Sequence, residues 1–333
     1  MDVPMGETTA RGDLLPVRFI LNTFYSGPQA WFFLADDRGY FRDEGLEVSF
    51  TEGNSLARAV KTLATGPYDA GYGDLNELVR MRAAGATETP VAVMAIHRRA
   101  PYTIAVDAAG GIRGPQDLRG KRLISHDQDA ALLLFPEFCK ATGLDPDAVH
   151  ITISGLSHKV MVPQMLGGEW DGIFGFVNTV AAQAIEAGVD PSTALRHLEW
   201  DHHAPAFYGG AMMVTQAFRA AHPKAVAGLC RAVNRGLADT ITDVDAAIDA
   251  VARRNPQIDR KANRARLIGT LGLEMRDPSG DGIGPADPDR LCEIARLIAE
   301  AKGYDNQPAP DEVFDASFLP AAAERAVNSR YPQ

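Results

Sequence analysis

Five short polar clusters, each directly after an apolar run, hold the residues of this chain best suited to chemistry. They are Asn22 with Tyr25 and Ser26 ahead of Pro28, Gly53-Asn54-Ser55, Gly73-Asp74-Leu75-Asn76-Glu77, Ser125-His126-Asp127-Gln128-Asp129, and Phe176-Val177-Asn178. Amides, hydroxyls and carboxylates of this kind hydrogen-bond the edge of a small molecule, and a ring such as Phe176 stacks on a flat face. Each cluster also has a structural use. Asn22 and Ser26 suit a turn, Asn54 or Ser55 a helix cap, and Asp74 with Glu77 a variant of the capping box. The fourth cluster exceeds such a use, because a cap needs one side-chain oxygen and five consecutive polar residues stand there. His97 with Arg98, and Trp200, His202, His203, Phe207 and Tyr208, form two further groups suited to a planar, partly polar ligand. Packing is the alternative role for Phe207 and Tyr208.

Other chemistries find less support. There is no Gly-x-Ser-x-Gly, no phosphate-binding loop and no metal-ligand spacing. His202 and His203 are adjacent, so on a strand they would point to opposite faces. His126 beside Asp127 has the composition of a base with an orienting carboxylate, but neighbours in sequence seldom take that geometry. A net charge of -10 and a pI near 5.3 exclude a phosphate-neutralising surface for nucleic acid. Cys139, Cys230 and Cys292 each sit in an apolar helical pattern far from the others, which predicts buried free thiols. No run of apolar residues is long enough to span a membrane.

The clusters must be positioned by strands and helices. Phe19 to Leu21, Leu46 to Thr51 and Asp69 to Tyr72 read as strands, with helices over Ser55 to Thr65 and Asp74 to Ala84. This arrangement predicts strand-to-helix turns converging at the carboxyl ends of a parallel sheet. Val91 to Ile96 and Thr103 to Val106 read as strands flanking a hinge, and a second set of βα units follows. Its strands are Arg122 to Ile124, Val149 to Ile153 and Gly172 to Gly175, and Asp129 to Thr142 reads as one helix closed by Gly143. A return crossing near Phe207 to Gly210 leads to a strand, Ala211 to Thr215, and then to helices with Val226, Leu229, Val233 and Leu237 on one face. Asp277 to Pro288 reads as a surface loop. Two βα assemblies in sequence imply two lobes.

Ala35-Asp36-Asp37-Arg38-Gly39-Tyr40-Phe41-Arg42-Asp43-Glu44-Gly45-Leu46-Glu47-Val48, Asp69-Ala70-Gly71-Tyr72-Gly73, Leu118 to Leu123, Gly168 to Ile173 and Pro310 to Phe314 with Phe318-Leu319-Pro320 follow one another in a familiar order. In that order the chain resembles the periplasmic solute-binding proteins of ABC importers, in the thiamine-pyrimidine, nitrate, taurine and alkanesulfonate group. The resemblance implies an α/β chain with the type II periplasmic binding protein fold, two α/β lobes joined by two hinge crossings. The expected division is a flexible leader over 1–16, lobe I over 17–101 and 211–333, and lobe II over 102–210. The implied function is the substrate-binding component of an importer, not an enzyme, with no cofactor and no metal. Its partners would be a small-molecule ligand and the permease transmembrane subunits, with no nucleic acid, and the protein would be a monomer. The location implied is periplasmic; residues Met1 to Asp13 lack a signal-peptide pattern, so a native N-terminus there would instead mean the cytoplasm.

The residues expected to contact the ligand are Asn22, Tyr25, Ser26, Asn54, Asp74, His97, Arg98, His126, Asp127, Phe176, Asn178 and Tyr208. Asp74 and Asp127 favour a neutral or amino-bearing aromatic heterocycle over an oxyanion, because carboxylates repel anions. Arg98 opposes that preference, since it could clamp a sulfonate or an aromatic carboxylate. The alternative function is a same-fold enzyme acting on a pyrimidine or other aromatic metabolite. The fungal enzymes that make the thiamine pyrimidine share this fold and carry a pyridoxal-phosphate-binding Lys, a substrate-donating His and a cysteine-rich segment. Here the corresponding positions fall near Gly73, Glu77 and Phe207 to Met213, where none of those residues stands. A transcription regulator of similar fold would need a DNA-binding module before residue 17, and the short leader has no room for one.

Overall fold

The computed structural model describes residues 14–127, 129–277 and 280–331. Alternating apolar and βα-spaced segments form two separate five-stranded sheets. The first takes β1 (Leu15–Ile20), β2 (Leu46–Thr51), β3 (Ala70–Asp74), β4 (Val91–Ala95) and, from much later in the chain, β10 (Gly210–Val214), in the order β2-β1-β3-β10-β4. The second takes β5 (Tyr102–Asp107), β6 (Arg122–Ser125), β7 (His150–Ile153), β8 (Gly172–Phe176) and β9 (Leu195–Glu199), in the order β7-β6-β8-β5-β9.

Neither sheet is wholly parallel as expected. β10 runs antiparallel to β3 and β4, and β5 antiparallel to β8 and β9. The reason lies in the crossings: the chain leaves the first sheet after β4, enters the second through β5, and returns from β9 into β10. The two lobes are thus joined by two hinge crossings.

Helices cover the faces of the sheets. Trp31, Phe32 and Phe33, on Ala30–Asp37, pack with Val226, Leu229, Val233 and Leu237 of Pro223–Thr242 into the core of the first lobe. Its other face buries Leu75, Leu78 and Val79 of Leu75–Ala83 against Ile294 and Ile298 of Pro288–Lys302. The second core holds Tyr102, Phe138, Phe174, Trp200 and Phe207, and it receives Leu297 from that same helix.

Several local expectations change. The single helix over Asp129 to Thr142 is two, Ala130–Leu133 and Phe135–Thr142, because Pro136 has no N–H to carry the ladder through Leu134. β9 has no counterpart in the pattern reading, and His202 with His203 lie on a short helix, Trp200–His203, not on a strand. Asp277 to Pro288 is not purely surface. Asp277 and Ile283 are buried, and the Gly284 carbonyl accepts a hydrogen bond from Ala95 N at 2.7 Å, while residues 278 and 279 lie outside the described ones. Cys139 and Cys230 are buried, whereas Cys292 is exposed.

Candidate functional site: the interlobe cleft

The carboxyl ends of β1, β2, β6 and β8 meet around a cavity of about 650 Å³ between the lobes, within the size range of small-molecule sites. Asn22, Thr23 and Phe24 follow β1, and Asn54, Ser55 and Arg58 follow β2 at the start of Leu56–Thr65. His97 follows β4, while Arg266, Thr270 and Glu274 descend one side of Arg260–Leu273 and its cap. From the second lobe come His126, Asp127 and Asp129 after β6, His158 at the start of His158–Leu166, Phe176 at the end of β8, and Asn178, Thr179, Gln183 and Glu186 along Val177–Glu186.

Local folding holds several of these groups. Ser55 Oγ accepts from Arg58 N at 3.1 Å, and Asp129 accepts from Ala131 N and Leu132 N at 2.8 and 3.3 Å, so both are helix caps that also face the cavity. His158 Nε2 lies 2.9 Å from the Phe174 carbonyl. A carbonyl only accepts, so that nitrogen carries the proton and Nδ1 is left as the basic site. His126 sits edge-on to His158 with ring centroids 5.0 Å apart.

Glu274 joins the lobes directly. Its carboxylate accepts from Asn178 Nδ2 of the second lobe at 2.7 Å and meets His97 Nε2 at 3.2 Å, and Tyr72 OH lies 2.8 Å from the same nitrogen. The approach is tight enough that a Cβ on Gly269 would stand 2.5 Å from Asn178 Oδ1. Burial lifts the Glu274 carboxyl to about 7 and pushes His97 down to about 3, so near neutrality this contact joins two groups biased toward their uncharged forms. Burial likewise raises Asp129 and lowers His158, each opposed by the other's charge.

Of the residues singled out in the sequence, Asn22, Asn54, His97, His126, Asp127, Phe176 and Asn178 converge on this cavity. The others lie elsewhere. Tyr25 OH donates to the Phe50 carbonyl at 3.0 Å, and Ser26 is fully buried with its Oγ 3.2 Å from Gln29 Oε1. Asp74 is buried at the hinge, where it caps Leu75–Ala83 and takes a short hydrogen bond from Tyr102 OH. Tyr208 OH accepts from Asp287 N at 2.7 Å with Arg290 over its ring, and Arg98 pairs with Asp277 at 2.5 Å. Phe24, Arg58, His158, Arg266, Thr270 and Glu274 also line the cavity, although the local sequence around them does not mark them as ligand contacts. Arg266, Thr270 and Glu274 did carry a signal, the four-residue spacing of one helix face, but nothing local says what that face meets.

The NMT1/THI5 like family matches residues 28–247. The chain belongs to the NMT1/THI5-like family. Two relatives named 4-amino-5-hydroxymethyl-2-methylpyrimidine phosphate synthase are similar to it. That of Aspergillus parasiticus is 23% identical over 91% of this chain and 85% of the relative. That of Schizosaccharomyces pombe is 28% identical over 43% of this chain, a match spanning only 40% of that relative's length. Among solved structures, the alkanesulfonate-binding protein SsuA from Xanthomonas axonopodis pv. citri, bound to MOPS, superposes with a TM-score of 0.66 at 15% identity. It covers 91% of this chain and 99% of its own, and at that identity the likeness speaks for the periplasmic binding protein fold. The NMT1/THI5-like relatives correct one expectation: they are named as enzymes, against the reading of this chain as a non-enzyme.

A lysine-bound pyridoxal phosphate does not fit the residues of this NMT1/THI5-like chain. Among the described residues, the cleft lining includes Arg58 and Arg266 but no lysine. Gly73 is interior to β3, where even a Cβ would stand 2.7 Å from Val60 Cγ2, and the buried Glu77 is committed to Arg80 at 2.5 Å.

Proposed function

We propose that this chain binds a small planar heterocycle of the pyrimidine class in the interlobe cleft and acts on it chemically. The observation that carries this reading is the conjunction, in one cavity, of aromatic walls with acids and bases of opposite bias. Phe24 and Phe176 offer faces for a flat ring. Glu274 and Asp129 are pushed by burial toward their protonated forms, and His97 and His158 toward their neutral ones. Carboxyls able to donate a proton and imidazoles able to accept one at the same pH are what general acid–base chemistry requires. The names of the two relatives support the pyrimidine class.

The test combines a thermal-shift panel with recovery of the compound. Aminopyrimidines, riboflavin, pyridoxal phosphate, aromatic carboxylates, alkanesulfonates, taurine and nitrate are each incubated with the protein and then recovered for mass spectrometry. An aminopyrimidine at about a hundred times its dissociation constant should add about 2.7 kcal/mol of stability and return chemically altered. His158→Gln should keep the stabilisation and lose the conversion. Silence of every pyrimidine overturns the reading.

A second reading is favoured by the two-lobed frame with two crossings. The chain would serve as the binding component of an ABC importer, a periplasmic monomer that closes on the same ligand and presents it to permease transmembrane subunits. Tight binding with the compound returned unchanged would support this role.

A further inference from the structure

Arg266 has no assigned purpose in the interactions above, and its surroundings give it one. Its residue is partly buried in the wall of the cavity, on the cleft-facing side of Arg260–Leu273. Among the described residues its guanidinium has no hydrogen-bond or ion-pair partner. The other arginines around the hinge are committed: Arg98 to Asp277, Arg99 to Asp201, and Arg290 to the Phe207 and Arg98 carbonyls. A guanidinium presents five donors in a planar fork matched to an oxyanion, so leaving it desolvated without an acceptor is unfavourable for the protein alone.

The groups facing Arg266 do not discharge that need. Glu274 and Glu186 lie near enough to act through their fields but do not contact it. Glu274 is already shared between Asn178 and His97, and burial biases it toward its neutral form. Asp127 and Asp129 also line the cavity, but from the second lobe, with Asp129 held as the cap of Ala130–Leu133. Arg58, exposed at the mouth of the cavity on the first lobe, likewise has no side-chain partner among the described residues. Thr270, one helical turn from Arg266, and Thr179 across the cleft supply hydroxyls.

We infer that Arg266 is the receptor for an anionic substituent on the ligand, so that the cleft takes a flat ring carrying a carboxylate, sulfonate or phosphate ester and selects against its uncharged analogue. This replaces the sequence-based preference for a neutral ligand. That preference leaned on Asp74 and Asp127: Asp74 is buried at the hinge instead of in the cleft wall, and Asp127 reaches the cavity only from the second lobe, across from the Arg266 helix. The inference rests on the proposed heterocycle site, but its test separates the two.

The full chain is titrated calorimetrically with matched pairs: an aminopyrimidine methanol and its phosphate monoester, benzamide and benzoate, and benzenesulfonamide and benzenesulfonate. Inorganic phosphate and sulfate alone serve as competitors. The charged member of a binding pair should bind about tenfold more tightly or better, with competition from the inorganic ion whose chemistry matches the preferred substituent. Arg266→Gln should abolish the preference and leave the uncharged member's binding in place. Arg266→Lys, which keeps the charge and loses the fork, should retain part of it. Without ligand, Arg266→Gln should melt at a higher temperature than the parent, because it removes a desolvated charge; an arginine with a structural role would give the reverse. A silent pyrimidine pair beside a strong benzoate or benzenesulfonate preference would remove the heterocycle reading and keep the anion receptor. Equal binding within every pair, a preference surviving in Arg266→Gln, or no anion binding at millimolar concentration would overturn it.

Discussion

Glu274 shows how one buried group is tuned by its setting. It is 3% exposed and hydrogen-bonded across the cleft, and its carboxyl is raised from 4.5 to about 7 chiefly by burial. The native protein therefore keeps this proton over a pH range in which the unfolded chain has lost it. Its stabilising effect is complete below about 4.5 and disappears as pH rises through about 7. Chemical denaturation across this range should show the parent losing stability relative to Glu274→Gln, by an upper bound of about 3 kcal/mol. Parallel pH profiles for the two proteins would show that Glu274 titrates normally.

At the level of elements, the hinge is built as a polar knot inside an apolar frame. Asp74 at the end of β3 accepts a hydrogen bond from the Tyr102 hydroxyl at the start of β5, while Asn76 donates to the Tyr208 carbonyl at 2.7 Å and accepts from Tyr208 N at 3.1 Å. One helix start thereby holds both crossings, since Tyr102 ends the outward passage and Tyr208 lies at the end of the return, just ahead of β10. Burial lifts the Asp74 carboxyl to about 6, so the donors around it matter to its stability. Tyr102→Phe keeps the ring packing against Phe176 and Trp200 but leaves a buried acceptor short of one donor. Denaturant titration should give a loss of about 1–3 kcal/mol, and an unchanged midpoint would mean that the knot only fills space.

At the scale of the whole molecule, Pro288–Lys302 ties the lobes together behind the hinge. Ile294 and Ile298 enter the first lobe's core, and Leu297 enters the second's. Lys140 to Glu300 at 3.2 Å and Lys302 to Glu137 at 3.5 Å reinforce the same junction. A helix shared by both cores couples their unfolding, so calorimetry should record one cooperative transition. Leu297→Ala should cost about 2–5 kcal/mol and broaden or split that transition, because it empties a site in the second core while leaving the first intact. A sharp, single, unshifted transition would show the lobes to be coupled through the crossings alone.

By itself, the sequence determined what depends on near neighbours. Asp74 capping Leu75–Ala83 and Gly143 ending Phe135–Thr142 with φ 71° follow from side-chain reach and backbone sterics over a few residues. The cleft-facing turns after β1, β2, β6 and β8 were legible for a related reason: strand-to-helix turns in α/β sheets gather at one edge. Tertiary structure alone decided which polar groups in those turns face the cavity. Asp74 and Tyr208 have the chemistry of ligand contacts, yet they turn into the hinge because two crossings bring Tyr102, Asn76 and Asp287 to them. Arg266, Thr270 and Glu274 reach the cleft only because their helix, from the last third of the chain, packs against Val177–Glu186 of the other lobe. Helical spacing is a local property, but what a helix face meets is set by long-range packing, and single-chain periodicity does not carry that information.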